Sequence, residues 1–399
     1  IKQAMEIYLI GYTLIALAFA FVVFVQLVSH RLIYKNNIRI QQIFAHPLLT
    51  YSIRRIGSAL ISILLAITAT FFLIRIKSEG FMICKQAIGT WDKLGESLRE
   101  MQCVALKARL GITENWFVDL FSYYYKILPF PKTVCQVTDV GTIVGTDTIY
   151  TISNQNCRNF ILDLGTVFFL GGGNNGKFVL DLISEKMVIS FRIGIIAVIV
   201  ELLLGYPMGI MMAKNKDGIF DKIGKTYIIT IDAIPGVAYY YIWMALFAAL
   251  SLPTIYEAGN FLTYLAPSLT MGFTGMAGIA LWVRRFMLDE FNSDYVKFAR
   301  AKGLSENRIM YTHILRNAIV PLVRSIPAAI LGALLGTFYI EKIYGIDGIG
   351  GLLVKSESTN DYFVLQGIIV ISALISIISY LAGDIVTAVV DPRVSFSKE

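Results

Sequence analysis

The sequence predicts an all-α polytopic membrane protein, and three observations carry that expectation. Of 399 residues, 56% are apolar and the mean hydropathy is +0.65, which excludes an ordinary soluble domain and a disordered chain. Several windows reach the roughly 20 apolar residues that a helix needs to cross a bilayer. Lysine and arginine gather in loops that those windows place on one face of the membrane.

Taken in order, the spans are expected near 7–28, 56–76, 187–213, 227–250, 264–283, 321–340 and 363–390. The first is read as a retained span, with a helix lying on the membrane surface as its competitor. Residues 30–55 carry Arg31, Lys35, Arg39, Arg54 and Arg55 and no acid. Residues 214–225 carry four Lys against two Asp, and residues 284–320 seven Lys/Arg against four acids. The loop 251–265 carries one charge, Glu257. These loops put 30–55, 214–225 and 284–320 in the cytoplasm. The net charge of +7 is absorbed by that bias, and nucleic acid is not expected as a partner.

Residues 77–186 hold eleven basic and eleven acidic residues and are expected to form an extracellular domain of open fold. The chain then divides into an N-terminal extension with its extra span and basic loop (1–50), a first core span (51–76), the extracellular segment (77–186), a core with five spans (187–394) and a cytoplasmic tail (395–399). All four cysteines, Cys84, Cys103, Cys135 and Cys157, fall in the outer segment. Disulfides suit that side, with three pairings open and free thiols as the alternative. Their spacing does not suit a metal.

The most informative stretch is Asp294–Val323. Tyr295, Phe298 and Ala299 fall at i, i+3 and i+4 and so share a helix face. Lys302-Gly303-Leu304 reads as a helix end with glycine in the left-handed position. Ser305 reads as the N-cap of a second helix running toward Pro321. Two short helices at a sharp angle, basic at the rim and apolar on one face, suit a groove on a partner protein.

Other motifs carry less. Gly171-Gly-Gly-Asn-Asn-Gly176-Lys177-Phe178 nearly fits a phosphate-binding loop, but Phe178 replaces the hydroxyl that would hold magnesium. A turn before the next span is the better reading. No nucleophile–base pair stands out, and no catalytic residue is expected. Ionisable residues inside spans are costly. Glu201 and Asp232, the latter three residues before Pro235, are therefore candidates for a translocation path, against the alternative of a satisfied contact between helices. Asp384 sits near the inner end of the last span. Gly205-x-x-x-Gly209 and Gly332-x-x-x-Gly336 would let helices pack closely, and Pro207, Pro235 and Pro327 would kink them.

With Asp294–Val323 in view, the chain resembles the permease subunits of binding-protein-dependent ABC importers, and more narrowly the B-type subunits of oligopeptide and dipeptide importers. The resemblance rests on Ala299-Arg300-Ala301-Lys302-Gly303-Leu304-Ser305, then His313, Arg316-Asn317-Ala318 and Pro321, the peptide branch's form of the EAA motif. It continues at Tyr51–Arg55, Val179–Ile183, Glu341, 345–351, Asp361-Tyr362 and Asp391-Pro392-Arg393. It implies a type I ABC importer transmembrane domain with six core spans, an extra N-terminal span and an extracellular insertion, in the plasma membrane. It implies a heterodimer with a second permease subunit, two cytosolic ATPase subunits that bind ATP and Mg, and an extracellular or lipid-anchored binding protein that delivers an oligopeptide. No cofactor is then expected in this chain. The loop 284–320 would be the ATPase-coupling element, with Phe298, Ala299 and Leu304 as buried contact, Tyr295 beside them, and Arg300, Lys302 and Arg308 as rim charge. Nickel, heme or another small solute is the alternative cargo. An ion-coupled secondary transporter is the alternative class.

Overall fold

The computed structural model describes positions 57, 61–62, 64–69 and 71–72, then 113, 115–144, 147–167, 170, 173–174 and 176–390, without the side chains of 135–156 and 388–389. The expected span 7–28 and Cys84 and Cys103 lie outside these residues. The described residues fall into two compact units, one of positions up to 135 with 157–164, the other of 136–156 with 165–394.

In the first unit the described positions between 57 and 72 are helical, inside the window 56–76. Helix α1 (Trp116–Ile127) packs on them. Asn115 starts it by accepting the Phe117 N–H at 3.0 Å. Strands β1 (Lys132–Val144) and β2 (Asp147–Phe160), whose residues between 136 and 156 belong to the second unit, pair into a two-stranded sheet. The sequence leaves the fold of the insertion open, and here it includes this hairpin. The β1 sequence KTVCQVTDVGTIV is dense in Val and Thr, whose branched side chains favour the pleated backbone over the helix. Cys157, at the end of β2, is disulfide-bonded.

The second unit is a helical membrane domain. Its helices are α2 (Val179–Lys214), α3 (Ile219–Ala233), α4 (Gly236–Ala249), α5 (Leu262–Phe291), α6 (Asp294–Ala301), α7 (Glu306–Arg308), α8 (Leu315–Ala318), α9 (Val320–Val323), α10 (Ser325–Gly332), α11 (Phe338–Ile343), α12 (Ile349–Ser358) and α13 (Tyr362–Val390). A π-helical turn, Ile309–Ile314, joins α7 to α8. Among the described residues four helical stretches are long and apolar enough to cross a membrane: Val179–Lys214, Leu262–Phe291, Val320–Ile343 and Tyr362–Thr387. The bent pair α3–α4 makes a fifth if counted as one span.

Three boundaries differ from the sequence reading. Helix α2 starts eight residues before the expected 187, because Val179, Leu182 and Ile183 are buried and a helix needs packing, not hydrocarbon, to continue. The single span expected at 227–250 is two helices bent by 115°. Pro235 has no N–H to give and drives Ile234 out of the helical region, to φ −87° and ψ 129°. The span expected at 321–340 is segmented. Gly336, at φ +63°, ends a 3-10 turn two residues before α11, and a Cβ there would lie 2.8 Å from Ser190 Oγ while one on Gly332 would meet nothing within 4 Å, so Gly332-x-x-x-Gly336 marks a break in which Gly336 alone packs closely.

Helices α2 and α5 run parallel in a constant register. A Cβ on Gly205 would lie 2.8 Å from Ile279 Cβ, one on Gly209 2.6 Å from Val283 Cβ, and one on Gly272 2.7 Å from Val200 Cβ. The Ser268 hydroxyl donates to the Ile193 carbonyl at 2.9 Å. Glycine on both helices is what allows this approach. Two parallel spans require the chain to return between them, so α3–α4 carries it back across despite the bend.

Candidate functional site

The segment 293–305 is built as a rigid knuckle. Ser293 opens α6 with extended backbone, and its hydroxyl donates to the Glu290 carbonyl at 2.7 Å. At the other end Gly303 takes φ +75°. Its N–H donates to the Arg300 carbonyl at 2.9 Å, and the Leu304 N–H reaches the Ala299 carbonyl at 3.3 Å. Those two bonds are the Schellman closure. Ser305 then starts α7 with extended backbone, φ −65° and ψ 145°, without a side-chain capping bond. Arg300 clamps the turn from outside, Nε to Glu306 Oε1 at 2.8 Å and Nη2 to Oε2 at 3.2 Å. That bidentate bond holds the Glu306 carboxyl below its ordinary pKa.

The inner face of the knuckle is welded to the membrane helices. Val296, Ala299, Ile309, Met310 and Ile314 share one core with Ala213 of α2, Val283 and Met287 of α5, and Ala318 and Leu322 beyond. The Tyr295 hydroxyl donates to Glu290 Oε2 at 2.5 Å. Beside this core Arg284 of α5 grips Asp221 of α3, Nε to Oδ1 at 2.6 Å and Nη2 to Oδ2 at 2.9 Å. The Asp217 N–H and Lys225 Nζ also reach Asp221, each at 2.9 Å. Asp221 is fully buried, so its charge is held by partners and not by water.

The outward face is a different set. Phe298 is 61% exposed, with Lys302 Nζ 4.5 Å from its ring centre. Arg300, Ala301, Lys302, Gly303, Ser305 and Arg308 are exposed, and Leu304 is half-buried. Ala299 turns inward, 6% exposed, so it does not share the presented surface with Phe298. This corrects the expectation that Phe298 and Ala299 share one face: consecutive residues lie about 100° apart around a helix, and Ala299 is the one packed into the core with Val283 and Met287.

At the opposite end of the spans a second set of contacts fixes the backbone. Glu341 of α11 is 3% exposed. It accepts from the Ser190 hydroxyl of α2 at 2.7 Å and from the Gly351 N–H of α12 at 3.0 Å. Ser190 in turn accepts the Ile349 N–H at 2.9 Å. A Cβ on Gly348 would lie 2.7 Å from the Glu341 carboxyl carbon, and one on Gly350 3.0 Å from Oε2. Lys186 bonds Asp347 at 2.5 Å alongside. The sequence offers one signal for this junction, an acid next to an apolar run and ahead of a glycine-rich stretch, and it went unread as a contact.

The path candidates are not brought into one cluster by any contact. The Glu201 carboxyl lies against α5, where a Cβ on Gly275 would meet its Cδ at 2.5 Å. Asp232 and Pro235 flank the α3–α4 break and are exposed. Asp384 pairs with Arg324 at 2.9 Å. In the near-phosphate stretch, whose positions 171, 172 and 175 lie outside the described residues, the Gly176 N–H donates to the Val167 carbonyl at 2.8 Å and Phe178 is buried. Among the described residues no group of three or more His, Cys, Asp or Glu is placed to hold a metal ion.

Residues 205–396 match the family described as binding-protein-dependent transport system inner membrane component. The chain is 36% identical over 218 residues to the oligopeptide transport system permease protein AmiC of Streptococcus pneumoniae, covering 54% of this chain and 44% of that protein. It thus spans under half the length of the AmiC relatives it matches. It is 35% identical over 217 residues to the dipeptide transport system permease protein DppB of Lactococcus lactis subsp. cremoris, covering 54% of this chain and 72% of that protein. An inward-facing structure of the MetNI methionine ABC transporter overlaps 53% of this chain and 97% of its own chain, at 15% identity and a TM-score of 0.45. On the strength of the sequence relatives the chain is a multi-pass protein of the plasma membrane and belongs to the binding-protein-dependent transport system inner membrane components, the permeases of ABC importers.

Proposed function

We propose that this chain is the B-type permease subunit of an ATP-driven oligopeptide importer. It lines the translocation path together with a second permease subunit. Two cytosolic ATPases, which bind ATP and Mg, receive the knuckle at 293–305, and an extracellular or lipid-anchored binding protein delivers the peptide. The peptide permeases among its relatives support that cargo. The spans would number six, with a seventh at 7–28, and 77–186 would lie outside.

One observation carries the coupling role: the knuckle is exposed on one face and shares a core with α2 and α5 on the other. Movement of a partner against Phe298 and Lys302 passes into two spans without an intervening flexible segment. Glu201, Asp232 and Pro235 are the residues we assign to the path, where ionisable side chains within spans meet water or substrate.

The test is Phe298→Asp in the full complex. Phe298 is exposed, so the fold does not need its ring. We expect the variant to enter the membrane and pair with the second permease while losing the ATPases on purification and losing peptide uptake. Retained ATPases with normal uptake would overturn the coupling role. Uptake of nickel or heme but not peptides by the unaltered complex would overturn the cargo.

A further inference from the structure

Helix α1 has two apolar faces, separated on one side by a polar stripe of Asp119, Ser122 and Lys126. Its inner face lies on the helical positions between 57 and 72: Phe71 stacks on Tyr123 at 5.8 Å and Phe72 meets Trp116 at 6.0 Å between ring centres. The Tyr124 hydroxyl bonds the Thr68 hydroxyl and lies 3.5 Å from the Leu64 carbonyl. Its one carboxylate, Asp119, is buried and accepts from the Thr113 hydroxyl at 2.6 Å. The outer face presents Phe117, Val118, Phe121 and Tyr125, with Leu128 and Phe130 just beyond, each between 45% and 69% exposed. No charged residue lies among these exposed positions.

A contiguous exposed aromatic face of this size marks a contact surface. What it contacts follows from what it leans on. Positions 64, 68, 71 and 72 belong to the apolar window 56–76, so α1 lies beside a span at bilayer depth. Leu64, on the same stretch, is 48% exposed, as a lipid-facing residue is. The Tyr124 hydroxyl is satisfied by Thr68, as a hydroxyl withdrawn from water requires. Tyr125 sits toward the polar end of α1, where Lys132 Nζ lies 5.0 Å from its ring centre and donates to the Leu128 carbonyl at 2.7 Å. Aromatic rings with a lysine at the margin are the composition of a membrane–water boundary.

We propose that α1 is a membrane-embedded interfacial helix whose Phe117–Phe121–Tyr125 face contacts lipid. Part of the long insertion is therefore a lipid anchor and not a soluble domain. The depth does not depend on the sidedness proposed above; only the assignment to the outer leaflet does.

The experiment uses the assembled complex in lipid nanodiscs. Phe121→Cys and the gentler Val118→Cys, which keeps every ring, are each labelled with a nitroxide. The unsubstituted protein gives the baseline for native thiols, and Asn159→Cys, exposed beside the sheet, is the aqueous reference. Spin relaxation by oxygen and by a water-soluble nickel chelate is compared. We expect an oxygen-to-nickel ratio several-fold higher at 118 and 121 than at 159. A ratio equal to that at 159 would overturn the proposal in favour of solvent. Low access to both reagents would overturn it in favour of a protein partner on that face. Labelling of Asn159→Cys in intact cells by a membrane-impermeant maleimide tests the sidedness separately.

Discussion

Arg284 holds Asp221 through its Nε and Nη2 nitrogens, at 2.6 and 2.9 Å, across 63 residues of sequence. The pair ties the first turn of α3 to α5, about two and a half turns before the knuckle begins. Removing Arg284 leaves a buried carboxylate short of its main partner. We expect Arg284→Ala to cost about 3–5 kcal/mol, read as a lower melting temperature of the purified complex. Arg284→Lys should rescue only part, since an ammonium cannot supply the two parallel bonds.

Gly303 sits at φ +75° with no atom within 4 Å of where a Cβ would stand. Any penalty for a side chain there is therefore a backbone penalty. We expect Gly303→Ala to destabilise the knuckle by about 1–2 kcal/mol, with Gly303→Asn milder because asparagine tolerates the left-handed region. Uptake per ATP hydrolysed, measured in reconstituted vesicles, should fall in the order Gly, Asn, Ala.

The Arg300–Glu306 clamp gives a pH dependence with a definite sign. Arg300 lowers the Glu306 pKa, so the carboxylate form is favoured in the folded loop. The contribution is complete above the ordinary glutamate pKa and is lost as pH falls through the lowered value. Amide protection at Gly303 and Leu304, taken relative to the intrinsic exchange rate at each pH, should fall on acidification in the native loop. In Glu306→Gln that protection should be low already at neutral pH and unchanged by acid in that range.

Gly209 faces the α5 backbone, where a Cβ would lie 2.7 Å from the Ala280 carbonyl oxygen and 2.6 Å from Val283 Cβ. We expect Gly209→Ala to push α2 and α5 apart at a cost of about 1–3 kcal/mol, seen as lower thermal stability. Gly332→Ala, by contrast, should be close to silent, since nothing lies within 4 Å of its added methyl.

Ser190 is held between Glu341 and the Ile349 N–H, at 2.7 and 2.9 Å. Ser190→Ala leaves both short of a partner, at about 1–3 kcal/mol for each group left unmade. Hydrogen exchange should rise locally in α12 while the knuckle at the other end stays protected. Equal loosening at both ends would show that the junction does not act locally.

Much of the knuckle was legible because its determinants are local. Gly303 marks a left-handed turn whatever surrounds it, and Ser305 marks a helix start. Pro235 likewise announced a break near Asp232, although not its 115° angle. The insertion was legible as polar and long, but its strands and the apolar α1 were not assigned. Ala299 was placed beside Phe298 by spacing alone, and only the core of α2 and α5 shows that the two face apart.

Runs of apolar residues, basic loops and a glycine between short helical segments settled by themselves that this chain crosses a membrane many times and carries a capped loop. Those properties depend on windows of a few residues to about twenty. The parallel register of α2 and α5, the burial of Asp221 under Arg284 and the meeting of Glu341 with Ser190 across 151 residues were decided by tertiary structure. Each depends on which surfaces meet, and no local window encodes the partner of a surface.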